Sequence, residues 1–146
     1  MCGMADSLQL INVHIPGYQG LQQIVIEQGA IAQISPQAEG SLPASIPVMD
    51  LNGDWVSLGG IDLQINGALG LAFPDLSAEN ADKLSKIGNF LWQQGVDGYL
   101  PTLVTTSIDN IQRSLTTLAH LPATASQHSA EILGVHLEGP FLNPQK

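Results

Sequence analysis

Apolar and polar positions along this chain fall into two regimes that meet near residue 56. In the first, apolar residues come in short runs cut by turns, which is a strand pattern. Leu8–Ile15 predicts one strand, with Leu8, Leu10, Asn12 and His14 alternating with Ile11 and Val13. Gln23–Glu27 and Ala30–Ile34 predict a hairpin around Gln28-Gly29, a pair suited to a tight turn. The Pro-, Ser- and Gly-rich stretch Ser35–Pro47 reads as a loop. Val48–Leu51 reads as a further strand before the turn residues Asn52-Gly53-Asp54. Together these form a small β module.

Beyond Val56 the spacing changes to strands alternating with helices. Ile61–Ile65 predicts a strand, followed by a loop through Gly67, Gly70 and Pro74. A helix is then expected from Ser77 as N-cap, with Glu79 in its first turn, Ala81, Leu84, Ile87 and Leu91 on one face, and Gly95 as its stop. Gly98–Val104 is the next strand. Ser107 caps a second helix with Ile108, Ile111, Leu115 and Leu118 as its apolar face, and Ile132–Glu138 is a third strand. Strands starting at 61, 98 and 132, with one helix in each gap, indicate parallel βαβ units. They fit the opening of a (β/α)8 barrel, which needs ~250 residues in all; a doubly wound sheet gives the same local pattern. Three parallel strands alone would leave an open edge and an unfinished core, so the chain is expected to be incomplete.

In either architecture, function gathers at the carboxyl ends of the parallel strands. Alternation along a strand puts Asp62, Gln64 and Asn66 on one face and Ile61, Leu63 and Ile65 on the other, with the apolar set packed on helices. The same argument puts His136 and Glu138 on one face. A polar face buried at a strand end is costly unless it is hydrogen-bonded or metal-bound. Spacing alone leaves both readings open: Glu138 and His136 as ligands, or as groups that pair and shape the strand ends. Gln64 and Asn66 are poor transition-metal donors beside His or carboxylate, and fit hydrogen-bonding roles better.

Composition narrows the partners. Of 146 residues, 44% are hydrophobic and 12% charged, enough for a packed core. Four Lys+Arg against 13 Asp+Glu give a net charge of −9, which argues against nucleic acid or an anionic membrane surface as partner. Cys2 is the single cysteine, so no internal disulfide is possible. The first residues lack a basic, apolar leader and no run approaches the ~18 apolar residues of a membrane span, which makes the cytoplasm the expected location.

Three blocks carry a resemblance. Gly60-Ile61-Asp62-Leu63-Gln64-Ile65-Asn66-Gly67, then Tyr99-Leu100-Pro101-Thr102-Leu103-Val104-Thr105-Thr106-Ser107, then Gly134-Val135-His136-Leu137-Glu138-Gly139-Pro140-Phe141-Leu142-Asn143 closely resemble the N-acetylglucosamine-6-phosphate deacetylase family, in its order and at about its spacing. The resemblance implies residues 1–55 as part of a small β-sandwich domain and 56–146 as the first three β/α units of a metal-dependent hydrolase (β/α)8 TIM barrel. It implies Glu138 as a metal ligand, with His136, Gln64, Asn66 and Asp62 as supporting groups and Asn143, with Lys146, in the loop that meets the sugar. Many amidohydrolases carry His-x-His where this chain has Gln64-Ile65-Asn66, so a single divalent metal, zinc, is expected. Gly59-Gly60 stands where the family usually has Pro-Gly.

The implied reaction converts N-acetyl-D-glucosamine 6-phosphate to D-glucosamine 6-phosphate and acetate. Two further histidine ligands and the catalytic aspartate are expected beyond residue 146, because His14, His120 and His128 match no family position; no catalytic residue is expected within the chain. Residues 1–146 alone are therefore expected to be inactive and to hold metal weakly. A homodimer is implied. Two alternatives remain: a deacetylase for the galactosamine epimer, and a non-catalytic sugar-phosphate-binding or scaffold fragment.

Overall fold

The computed structural model describes residues 7–37, 46–121, 128–143 and 145. Cys2 with the other leading residues, most of the expected 35–47 loop, and Lys146 lie outside them. The chain divides into two units, Met1–Leu58 and Gly59–Lys146.

The first unit holds β1 (Ser7–Val13), β2 (Gln22–Glu27), β3 (Ala30–Pro36) and β4 (Val48–Asp50) in one sheet, ordered β3-β2-β1-β4. β2 and β3 form the expected hairpin, and its turn residues Gln28 and Gly29 both take positive φ, 51° and 77°. β3 runs two residues past its expected end because Ser35 and Pro36 still pair with Gln23 and Gln22. β1 is antiparallel to β2 and parallel to β4, and its register slips between Leu10 and Val13. Asn12 sits in that slip at φ 55°, its N–H donating to Gln37 Oε1 at 3.0 Å and its Nδ2 to Asp50 Oδ1 at 2.9 Å. The Asp50 carboxylate also accepts the Asn52 N–H at 2.9 Å; these two bonds, the backbone one first, hold its pKa below the ordinary value. Among the described residues this unit contains one sheet layer.

In the second unit, β5 (Gly60–Ile65) leads through the short pair β6 (Gly67–Ala68) and β7 (Leu71–Ala72) into a 3-10 turn at Phe73–Asp75. Then come α1 (Lys83–Gln93), β8 (Val96–Val104), α2 (Ile108–Ala119), β9 (Glu131–Ile132) and β10 (His136–Glu138). β8 is central: β5 pairs on one side and β9 and β10 on the other, all parallel. Leu71, Phe73, Leu76, Leu84, Ile87, Leu91, Tyr99, Leu103, Ile111 and Ala130 form the core between strands and helices. Tyr99, stacked at a tilt 6.2 Å from Phe73, has its hydroxyl pKa pushed up to about 12 by burial.

Four expectations change here. α1 starts at Lys83 rather than Ser77, because Ser77 does not act as a cap. Its N–H is taken by Asn80 Oδ1 at 2.9 Å, and successive turns carry the chain to Asp82. On α2, Ser107 caps as expected, accepting the Asn110 N–H at 3.2 Å. Ile108, however, is 52% exposed, and the buried positions are Ile111 and Ser114. The third strand is broken: Leu133–Val135 separate β9 from β10, and the Leu133 side chain covers Gly98, where a Cβ would meet it at 2.6 Å. On β5, Ile61 and Leu63 are 58% and 66% exposed, so only Ile65 of the apolar set reaches the core.

The last change has a cause in register. Ile61 and Asp62 stand opposite Gly98 and Tyr99, but Ile65 stands opposite Pro101, so between Asp62 and Ile65 β5 carries one residue more than β8, offsetting a surplus residue of β8 between Val96 and Gly98. Asp62 Oδ1 accepts the Gln64 N–H at 3.0 Å within that bulge. The straight polar row expected at 62, 64 and 66 is therefore interrupted.

Candidate functional site

At the carboxyl end of the parallel sheet, His136 pairs with Thr102 and Glu138 with Val104. His136 and Glu138 thus share a strand face as expected. The Glu138 carboxylate is exposed and makes no hydrogen bond or ion pair among the described residues. His136 is half-buried, with Nδ1 3.3 Å from Thr102 Oγ1. Thr105 Oγ1 donates to the main-chain carbonyl of Glu138 at 2.9 Å and so ties the end of β8 to the end of β10.

The turn after Glu138 is fixed by shape. Gly139 takes φ 107°, a conformation side chains rarely adopt, and a Cβ there would collide with Thr105 Oγ1. Beyond it, the Leu142 N–H donates to Pro140 O at 2.9 Å. Asn143 is exposed, and its Oδ1 accepts the Gln145 N–H at 3.0 Å.

Asp62, Gln64 and Asn66 lie on the other flank of β8 from His136 and Glu138. Asp62 is engaged with its own strand, Gln64 is exposed, and Asn66 contributes its carbonyl to the Phe73 N–H at 3.0 Å. No hydrogen bond joins them to His136 or Glu138 among the described residues. Gly59 lies just before β5, where a Cβ would fall on the Asp97 carboxylate. The loop beyond β5 is held from α2: Arg113 donates Nη2 to Pro74 O at 2.9 Å and Nε to Leu76 O at 3.1 Å, and the buried Ser114 hydroxyl points at the same loop.

As a donor set, Glu138 and His136 offer one carboxylate and one imidazole two residues apart on a strand, which suits part of a zinc site. They fall short of a whole one: no group of three or more His, Cys, Asp or Glu able to hold a metal occurs among the described residues. Thr102 and Thr105 are the participants that residue-type reasoning passed over. Their signal was positional: Thr102 stands on β8 opposite His136, and Thr105 directly follows the end of β8, beside the end of β10. No helix among the described residues is long and apolar enough to cross a membrane.

No protein-family model matches the chain. Individual relatives do. It is 31% identical over 123 residues to N-acetylglucosamine-6-phosphate deacetylase of Haemophilus influenzae, covering 84% of this chain and 30% of that protein. The Bos taurus enzyme of the same name is 34% identical over 98 residues, covering 66% of this chain and 23% of that protein. An N-acetylgalactosamine-6-phosphate deacetylase of Escherichia coli O157:H7 is 30% identical over 129 residues, covering 88% and 31%. The chain therefore spans less than a third of the length of the curated relatives it matches.

Among solved structures, N-acetylglucosamine-6-phosphate deacetylase from Pasteurella multocida superposes with TM-score 0.65 at 24% identity, covering 95% of this chain and 36% of that one. The Thermotoga maritima enzyme gives 0.59 at 25%, covering 94% and 33%. The likeness takes in 84% of the chain in sequence and 95% in fold, and over that stretch the chain resembles the N-acetylglucosamine-6-phosphate deacetylases.

Proposed function

We propose that this chain serves a metal-dependent deacetylase that converts N-acetyl-D-glucosamine 6-phosphate to D-glucosamine 6-phosphate and acetate. The observation that carries the reading is Glu138: a carboxylate unpaired among the described residues, at the end of a parallel strand whose main chain is held by Thr105 and the Gly139 turn, in a chain whose relatives bear that activity in their names. Its supporting architecture is the start of a (β/α)8 barrel at 56–146, preceded by part of a β-sandwich domain at 1–55. The parallel order of β5, β8 and β9–β10 supports the first assignment.

Glu138 would hold one divalent ion, zinc, through a carboxylate oxygen. Such an ion, when bound, lowers the pKa of a water and polarises the amide carbonyl. The chain's own contribution is placement. Thr105 fixes the main chain under Glu138, and the Gly139 turn sends the segment to Asn143 past the strand ends, where it would meet the sugar. His136, Gln64, Asn66 and Asp62 support the site without ligating. The protein carrying the chain works in the cytoplasm as a homodimer.

Acetate release from N-acetyl-D-glucosamine 6-phosphate, measured with and without chelator, tests this on the protein that carries the chain. Glu138→Gln should abolish chelator-sensitive turnover; turnover unchanged in that variant would sink the ligand assignment. The galactosamine epimer is the second reading, favoured by the Escherichia coli relative that matches 88% of the chain. Comparing the two epimers as substrates separates them.

A further inference from the structure

The Thr102 side chain is fully buried in β8, so no water competes for its hydroxyl. Among the described residues two polar atoms lie within its reach: Leu100 O at 3.4 Å and His136 Nδ1 at 3.3 Å. A threonine hydroxyl has one proton to give and lone pairs to accept with. Donation to the Leu100 carbonyl leaves Oγ1 free to accept from an Nδ1–H, and both contacts are then satisfied. The opposite arrangement spends the only proton on Nδ1 and leaves Oγ1 no hydrogen for Leu100. In a neutral imidazole, a proton on Nδ1 means a bare lone pair on Nε2.

We propose that Thr102 is a positioning residue that holds His136 as the Nδ1–H tautomer, leaving Nε2 as a hydrogen-bond acceptor for an O–H or N–H group bound beside Glu138. The geometry behind it is the strand pairing itself. His136 stands opposite Thr102, and Thr105, the residue after the end of the same strand, anchors the Glu138 carbonyl. β8 and the residue that follows it thereby set both the ring and the main chain of the neighbouring strand. The functional meaning of the Nε2 acceptor rests on reading this strand end as the deacetylase site; the tautomer does not.

Imidazole nitrogen spectra of the 15N-labelled chain, recorded at a pH where the ring is neutral, read the tautomer directly. The expected result is the Nδ1–H pattern for His136, lost in Thr102→Val and retained in Thr102→Ser, which keeps the hydroxyl. An Nε2–H pattern in the unmodified chain overturns the proposal, as does an Nδ1–H pattern that survives Thr102→Val. Should Thr102→Val fail to fold, the unmodified chain and Thr102→Ser still decide: loss of the Nδ1–H pattern in folded Thr102→Ser overturns the proposal, and its presence in both supports it. Failure of the deacetylase reading would instead show as absent acetate release with this tautomer intact.

Discussion

Replacing Arg113 and Ser114 with alanine, singly and together, tests how the loop beyond β5 is fastened to α2. The Ser114 hydroxyl is fully buried and lies 3.0 Å from Phe73 O, 3.2 Å from Pro74 O and 3.4 Å from Leu76 O. Arg113 reaches two of the same acceptors, Pro74 O at 2.9 Å and Leu76 O at 3.1 Å, while Phe73 O also accepts the Leu76 N–H at 3.1 Å. Every carbonyl thus keeps a partner when one side chain is cut. Each single replacement should cost about 1 kcal/mol, the net worth of a hydrogen bond, rather than the ~1–3 kcal/mol of a buried group left unsatisfied. Cutting both strips Pro74 and Leu76 of their side-chain donors together. The double variant should then lose about 3 kcal/mol, roughly a hundredfold in the folding constant and about 1 kcal/mol beyond additivity. Urea denaturation of the four chains measures the cycle, provided the slopes agree. A coupling below about 0.5 kcal/mol would refute the reasoning and mean that water reaches those carbonyls.

Two further outcomes are expected. Gly139→Ala should destabilise the chain by roughly 1–3 kcal/mol, because alanine at φ 107° is strained and its Cβ meets Thr105 Oγ1; an unfolding midpoint equal to that of the parent chain would contradict the turn geometry. Tyr99, with its pKa raised to about 12, contributes stability that is present below pH 10 and lost as pH rises through about 12. Alkaline absorbance titration should show a late phenolate that disappears in Tyr99→Phe; its persistence would reassign it.

How far the sequence foretold this structure depends on whether local chemistry decided each element. The Gln28-Gly29 hairpin and the Ser107 cap were legible because the residues that specify them touch only near neighbours. Ser77 looked like an equally good cap, but the Asn80 N–H that its hydroxyl would accept goes to the Ser77 main-chain carbonyl in a turn, while Asn80 Oδ1 accepts the Ser77 N–H. Ser114 was missed as a core position because a hydroxyl reads as surface until its carbonyl acceptors, some forty residues away, are known. At the site, the shared face of His136 and Glu138 followed from alternation alone. Their threonine supports did not, since the register of β8 against β10 is a long-range property that no local pattern encodes.

The extra residue in β5 bears on which length changes the strand can absorb. Were the ladder to continue from Asp62 without a slip, Ile65 would stand opposite Thr102 instead of Pro101 and aim away from the helices. The bulge is what returns it to the core. A deletion at Leu63 or Gln64 would remove only the surplus and leave Asp62 and Ile65 aimed as they are. The same deletion within Gly98–Leu103 of β8, where every residue from Thr102 onward has a partner on β10, would re-aim everything downstream. β5 beyond Asp62 thus tolerates the loss of a residue, whereas β8 from Gly98 onward does not.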